Sequence, residues 1–146
     1  MDEVVMPQGV VFIPTKHVAF TWPLVSQHVE ECLEYFSGEF SSDDIRDMLL
    51  VGKMQLFLVW EGHIKGVVIT EIIMYPQMQV LRGVLIHGVD MDNWMAAMQA
   101  KLIRYQEYMH CHHMETVCRP GLYKKIKHLG WEVKQLLLVH RSYTNG

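Results

Sequence analysis

The sequence predicts a single mixed α/β (α+β) domain over residues 1–146, built on a mainly antiparallel sheet of about six strands with helices on both faces. The expected order is β-α-α-β-β-β-α-β-α-β. Three observations carry this reading. The run Gln79-Val-Leu-Arg-Gly-Val-Leu-Ile-His-Gly88 is almost continuously apolar, as in a strand buried on both faces, and it feeds a helical stripe of Trp94, Met98, Leu102, Tyr105 and Met109. Two β-rich runs before it, Gln55–Trp60 and Ile64–Met74, are joined by Glu61-Gly-His63, which makes an antiparallel meander. The long helical connection to Glu115-Thr-Val-Cys118 is the crossover that a parallel strand pair needs.

The remaining elements follow in order. Val10 to Ile13 form a first strand closed by Pro14, which has no N–H for a ladder. Thr21 is expected to cap a helix with Pro23 in its first turn and with Trp22, Val25, Val29, Leu33 and Phe36 on its inner face. Ser41-Ser-Asp-Asp44 starts a second helix that Gly52 ends. Tyr75-Pro-Gln-Met78 reverses the chain into the Gln79 strand. A helix of about Asn93 to His110 follows, then the short strand, a helix from Pro120 to Gly130 and a final strand from Trp131 to Arg141.

Composition narrows the function classes. A chain of 146 residues is long enough for one real core, and 50% hydrophobic with 20% charged residues is ordinary for a globular protein. A formal charge of −3 gives no electrostatic basis for nucleic-acid binding. No apolar run reaches the roughly 18–20 residues of a membrane span, and Met1-Asp-Glu is unlike a signal peptide, so a cytoplasmic location is expected. Cys32, Cys111 and Cys118 are odd in number and lack C-x-x-C spacing, so they are read as reduced. His110-Cys-His-His113 with Cys118 fits no standard zinc spacing, and adjacent side chains at a helix end diverge, so no metal is assigned.

The element order resembles the GCN5-related N-acetyltransferase (GNAT) fold. Cys118-Arg-Pro-Gly-Leu-Tyr-Lys-Lys-Ile-Lys-His-Leu-Gly-Trp131 is similar to a segment of the small GNAT-like proteins encoded by tailed bacteriophages, and Gln55–Trp60 with Val67-Val-Ile-Thr-Glu71 is similar to their central hairpin. The resemblance implies acetyl-coenzyme A as donor and an amine as acceptor. It also implies that the turn Gly88, Val89, Asp90, Met91, Asp92, Asn93 and Trp94 holds the pyrophosphate on backbone N–H groups. In the family this turn usually reads Arg or Gln-x-x-Gly-x-Gly or Ala, and this chain lacks the basic residue and both inner glycines. Asp90 and Asp92 are strong helix caps whose carboxylates would occupy those amides and repel phosphate.

The family's usual general acid is a Tyr four residues before the Gly of the Gly-Trp pair. Here that position is Ile126, which leaves Tyr123 as the nearby substitute. Amine acetylation needs a base, and His87, on a strand face with Leu81 and Leu85, ranks first, with Glu71 second. Lys124, Lys125, Lys127 and His128 form a basic patch that complements a helix C-terminus or meets an acidic group. Two functions therefore stand side by side: an acyl-coenzyme A-dependent N-acyltransferase, and an inactive GNAT-fold module serving a virion, a host protein or a homo-oligomer. Neither nucleic acid nor membrane is expected as a partner, and the acceptor amine is left open.

Overall fold

The structure is a computed structural model and describes residues 9–142. The chain divides into two compact units, one running through Thr116 and the other starting at Val117.

The first unit is a five-stranded sheet in the order β1-β2-β3-β4-β5, with β1 at Gly9–Ile13, β2 at Met54–Trp60, β3 at Ile64–Met74, β4 at Gln79–Gly88 and β5 at His113–Thr116. The first three pairings are antiparallel and β4–β5 is parallel, as the crossover requires. Helix α1 (Val18–Leu33) and α2 (Ser42–Leu50) cover one face. They pack Val25, Val29, Ile45 and Leu49 against Leu56, Leu58, Val67, Ile69 and Leu85. The alternate strand residues point the other way, toward α3 (Met91–Tyr108), where Tyr105 stacks on Phe12 at 5.3 Å and meets Phe57 edge-on at 5.5 Å.

Several local expectations are met by specific bonds. Ser41 and Asp44 form a reciprocal capping box at α2, and Gly52 takes the left-handed conformation that ends it. The α1 start differs. A 3₁₀ turn at Thr15–His17 begins the helix earlier, so Thr21 lies inside it and its hydroxyl donates back to the His17 carbonyl at 2.8 Å. At the end of α3, His110 is left-handed at φ 57° and Cys111 N–H reaches back to Gln106 O at 2.9 Å, a Schellman closure without glycine.

A β-bulge changes which residues share a face. Ile69 pairs with Leu85 while Thr70 pairs with Gly83, so Val84 is an extra residue on β4. Leu85 and His87 therefore face α1, whereas Leu81, paired with Ile72, faces the opposite side, contrary to the simple alternation expected for Leu81, Leu85 and His87. β5 also begins two residues earlier than expected, at His113.

The second unit holds α4 (Pro120–Ile126), a 3₁₀ turn at Lys127–Leu129 and Gly130 at φ 95°. The expected sixth strand is absent among the described residues: Trp131 to Ser142 pair with no strand. A β-rich sequence forms a strand only where a neighbouring ladder takes its backbone groups and a surface covers its side chains. Here Leu136, Leu137 and Leu138 are 80%, 72% and 85% exposed.

Gly66 and Gly88 are cross-strand partners under the Trp94 indole. A Cβ on Gly88 would run into the Lys65 carbonyl and lie 2.7 Å from the Gly66 Cα. Gly88→Ala is expected to lower the unfolding free energy by about 1–3 kcal/mol, the usual cost of overpacking a filled site. Urea denaturation would show it as a lower midpoint at unchanged slope.

Candidate functional site

The site is organised by where β5 stops. Its ladder with β4 runs only from Val80–His113 to Gly83–Thr116, and the Thr116 hydroxyl donates to Gly83 O at 2.9 Å at its last rung. Beyond that rung no strand among the described residues flanks Val84 to Gly88 on that side. Val89 N–H donates to Lys65 O at 2.9 Å, which makes 65–89 a hydrogen-bonded pair of the antiparallel ladder. By alternation, residues 87 and 85 also point their main-chain groups at β3, while those of Ile86 and Gly88 point out over the open edge. Ile86 O is met there by the Cys32 thiol of α1 at 3.6 Å.

The turn Gly88 to Trp94 lies at the end of this edge. Asp90 is the residue before α3, but its backbone is left-handed at φ 54° and ψ 37° and its side chain caps nothing. That overturns the expected internal cap. Capping needs an extended N-cap backbone to aim the oxygen at the next amides, and a left-handed one aims it elsewhere. The carboxylate turns instead to Lys65 Nζ at 3.4 Å, which also holds Glu61 at 3.1 Å. Glu61 first, and Asp90 after it, hold the Lys65 ammonium above its ordinary range. Asp92 is exposed in the first turn, Asn93 N–H donates to Asp90 O at 2.9 Å, and Val89 and Met91 contribute backbone at the turn. Trp94 is buried, and its indole N–H is spent on Val89 O at 2.7 Å. Its role is to brace the turn.

His87 belongs to a cluster that faces α1. Its Nε2 lies 3.4 Å from Glu31 Oε2, and its Nδ1 lies 3.3 Å from His28 Nδ1. Gln27 donates to the other Glu31 oxygen at 3.2 Å. On a helix, positions 27, 28 and 31 share a face, and that face stands beside the open half of β4. Burial first, and His87 second, lower the His28 pKa, while Glu31 opposes them. His28 and Glu31 were not singled out from sequence. The signal available was a His and a Glu three apart beside the buried stripe of Val25, Val29 and Cys32, and only the fold supplies their β4 partner.

Glu71 is on the same sheet face, but four residues of strand, about 13 Å, separate its rung from that of His87. It joins a different cluster. Arg82 donates to Glu115 Oε1 at 2.7 Å and to the Tyr75 hydroxyl at 3.0 Å, and Glu71 is 4.0 Å from the same guanidinium. Burial raises the Glu115 pKa, but the hydrogen bond and charge of Arg82 and the Tyr75 hydroxyl outweigh it and leave the carboxyl below its ordinary value. Tyr123 is half-buried on α4 of the second unit, where its N–H donates to Arg119 O at 3.3 Å, and Ile126 is buried. Among the described residues, no group of three His, Cys, Asp or Glu side chains is arranged to hold a metal. Cys111 is buried, and His112 Nδ1 lies against Gln79.

Comparison with known proteins places the fold. No protein-family model matches the chain, and no curated protein matches its sequence. Solved structures do. A probable acetyltransferase superposes with a TM-score of 0.66 at 11% identity, covering 94% of this chain and 98% of its own. A predicted acetyltransferase from Clostridium acetobutylicum, solved with acetyl-CoA, gives 0.66 at 10% identity over 90% and 94%. The aminoglycoside antibiotic 6'-N-acetyltransferase AAC(6')-Ih from Acinetobacter baumannii gives 0.64 at 8% identity over 93% and 98%. This chain has the GNAT fold.

The Glu115 shift sets a pH dependence. A folded-state pKa below the unfolded one stabilises the protein above the unfolded pKa, and that contribution disappears as pH falls through the folded value. The stability difference between the parent protein and Glu115→Gln should therefore be present at neutral pH and shrink as pH drops below the ordinary 4.5. Thermal unfolding of both proteins across that range would measure it.

Proposed function

We propose that the protein is an acyl-coenzyme A-dependent N-acyltransferase acting on an amine, with its site along the open half of β4. The observation that carries this reading is the outward-pointing backbone of Ile86 and Gly88, which no strand among the described residues flanks where β5 ends. An extended amide-bearing arm such as pantetheine can pair with such an edge as an added strand would. The start of α3 supports it too, because its N-cap side chain, Asp90, makes no cap hydrogen bond and Lys65 offsets the Asp90 charge.

When bound, acetyl-coenzyme A supplies an acyl group as a thioester open to an amine. The chain's own contributions are distinct. Ile86 and Gly88 would align the pantetheine arm, and the amides at Met91 and Asp92 would face the pyrophosphate. The histidines beside Glu31 would take the amine's proton. Glu71 serves the Arg82 cluster. The turn is an acidic version of a phosphate cradle: Asp92 stands in it with no cation paired to it among the described residues. Acceptors of the class named for the aminoglycoside acetyltransferase are natural first candidates.

Calorimetry with acetyl-coenzyme A should give saturable binding, and no heat at millimolar ligand would overturn the assignment. Asp92→Asn should tighten binding roughly fivefold, because one like-charge contact at 4 Å costs about 1 kcal/mol in water. Unchanged affinity would place the pyrophosphate away from this turn.

A second reading, a GNAT fold serving protein contacts in a virion, a host complex or a homo-oligomer, is supported by the exposed run Leu136, Leu137, Leu138 and Val139. It predicts a mass above the monomer in sedimentation at micromolar concentration. The double variant Leu136→Ser, Leu138→Ser should restore the monomer.

A further inference from the structure

We propose that His28, rather than His87, is the proton acceptor of this site, standing at the solvent end of a relay that runs Glu31, His87, His28. The proposal rests on the N-acyltransferase reading and deepens it. The hydrogen-bond chemistry of the three side chains decides the roles. The Glu31 carboxylate, 3.4 Å from His87 Nε2, attracts a proton to that nitrogen and repels a lone pair there, so it favours the His87 tautomer protonated at Nε2. A neutral imidazole has one N–H, so His87 Nδ1 is then a lone pair. Among the described residues the group facing it is His28 Nδ1 at 3.3 Å, and a hydrogen bond between the two nitrogens then needs the His28 proton on Nδ1. This leaves a lone pair on His28 Nε2, which has no hydrogen-bond partner among the described residues.

Both nitrogens of His87 thus face a partner, and within this cluster of described residues the basic nitrogen left to meet a substrate is His28 Nε2 on α1. The proton balance is complete within the cluster. An incoming ammonium loses a proton, which bonds to His28 Nε2. The proton on His28 Nδ1 can then pass to His87 Nδ1, so that the positive charge rests against the Glu31 carboxylate. Gln27, bonded to the second Glu31 oxygen, keeps that carboxylate turned toward His87. His87, Glu31 and Gln27 are positioning residues in this scheme.

The surroundings leave the cluster to itself. The charged groups on neighbouring elements are paired elsewhere: Arg46 with Asp43 and Asp47 on α2, Lys65 with Glu61 and Asp90 beside β3, and Arg82 with Glu115 on β4. Lys16 and His17 precede α1 and stand about 16 Å from His28 along the helix. Burial and the adjacent His87 both favour the neutral, proton-accepting form of His28, and Glu31 opposes them.

Two measurements test the relay. Nitrogen-15 spectra of the imidazole rings near neutral pH should show His28 protonated at Nδ1 and His87 at Nε2, while a His28 proton on Nε2 would overturn the assignment. On titration, Glu31→Gln should lower the His28 pKa and His87→Gln should raise it, and unchanged values would break the coupling. Coenzyme A release from acetyl-coenzyme A, with an aminoglycoside as amine probe, should fall about a hundredfold or more in His28→Gln at neutral pH. In Glu31→Gln its acidic limb should move to lower pH. Release unaffected by His28→Gln overturns His28 as acceptor. Absence of acetyl-coenzyme A binding by calorimetry overturns the N-acyltransferase reading and the catalytic use of the relay with it. The ring spectra, which need no ligand, tell that failure from a failure of the relay.

Discussion

An unpaired strand edge is costly to bury and inviting to fill, and the structure of the first unit depends on how one such edge is managed. The β4–β5 ladder ends at Gly83 and Thr116, and beyond it the outward backbone groups of Ile86 and Gly88 meet no strand among the described residues. α1 covers that half of β4 from one face and gives Ile86 O a thiol partner in Cys32. The bulge at Val84 turns Leu85 and His87 toward α1. The edge, the histidine and the helix that meets it are thus consequences of one short strand and one extra residue.

At the far end of the edge, close packing replaces the glycine-rich chemistry of a usual phosphate turn. Two glycines face each other across β3 and β4, and the Trp94 ring fills the space their missing side chains leave. The indole N–H then ties down Val89 O, so the turn is held by an aromatic brace. The left-handed backbone at Asp90 sends its carboxylate to Lys65 and leaves the first amides of α3 uncapped by that side chain. An acidic turn is therefore less closed than its composition implies, because conformation rather than residue type decides where a carboxylate points.

The opposite end of β4 carries a contrasting use of charge. Arg82, Glu115, Glu71 and Tyr75 draw three elements together around one guanidinium and pin the parallel strand to the sheet. The pairs are partly exposed, so their worth lies in geometry and strand register more than in net energy. The His28–His87 pair is built the other way, with Glu31 as its nearby charge and burial pressing His28 toward the neutral form. Glu71 and His87 share a face and a similar description in sequence, yet their neighbours give them unlike tasks.

By itself the sequence determined the local structure: the meander, the Gly-containing turns, the crossover helix, the α2 cap and the order that matches a GNAT fold were legible because each rests on periodicity or turn chemistry within a few residues. Tertiary structure decided what depends on neighbours distant in the chain. Trp131 to Arg141 has strand composition but joins no ladder among the described residues, since pairing requires a partner that composition does not name. The alternation along β4 failed at Val84, because a bulge reflects the fit of two strands and shifts every face beyond it. His28 and Glu31 read as ordinary polar positions on a helix until α1 is laid against β4. A cluster assembled from residues 59 apart is a property of packing, and only the folded chain brings His28 to His87.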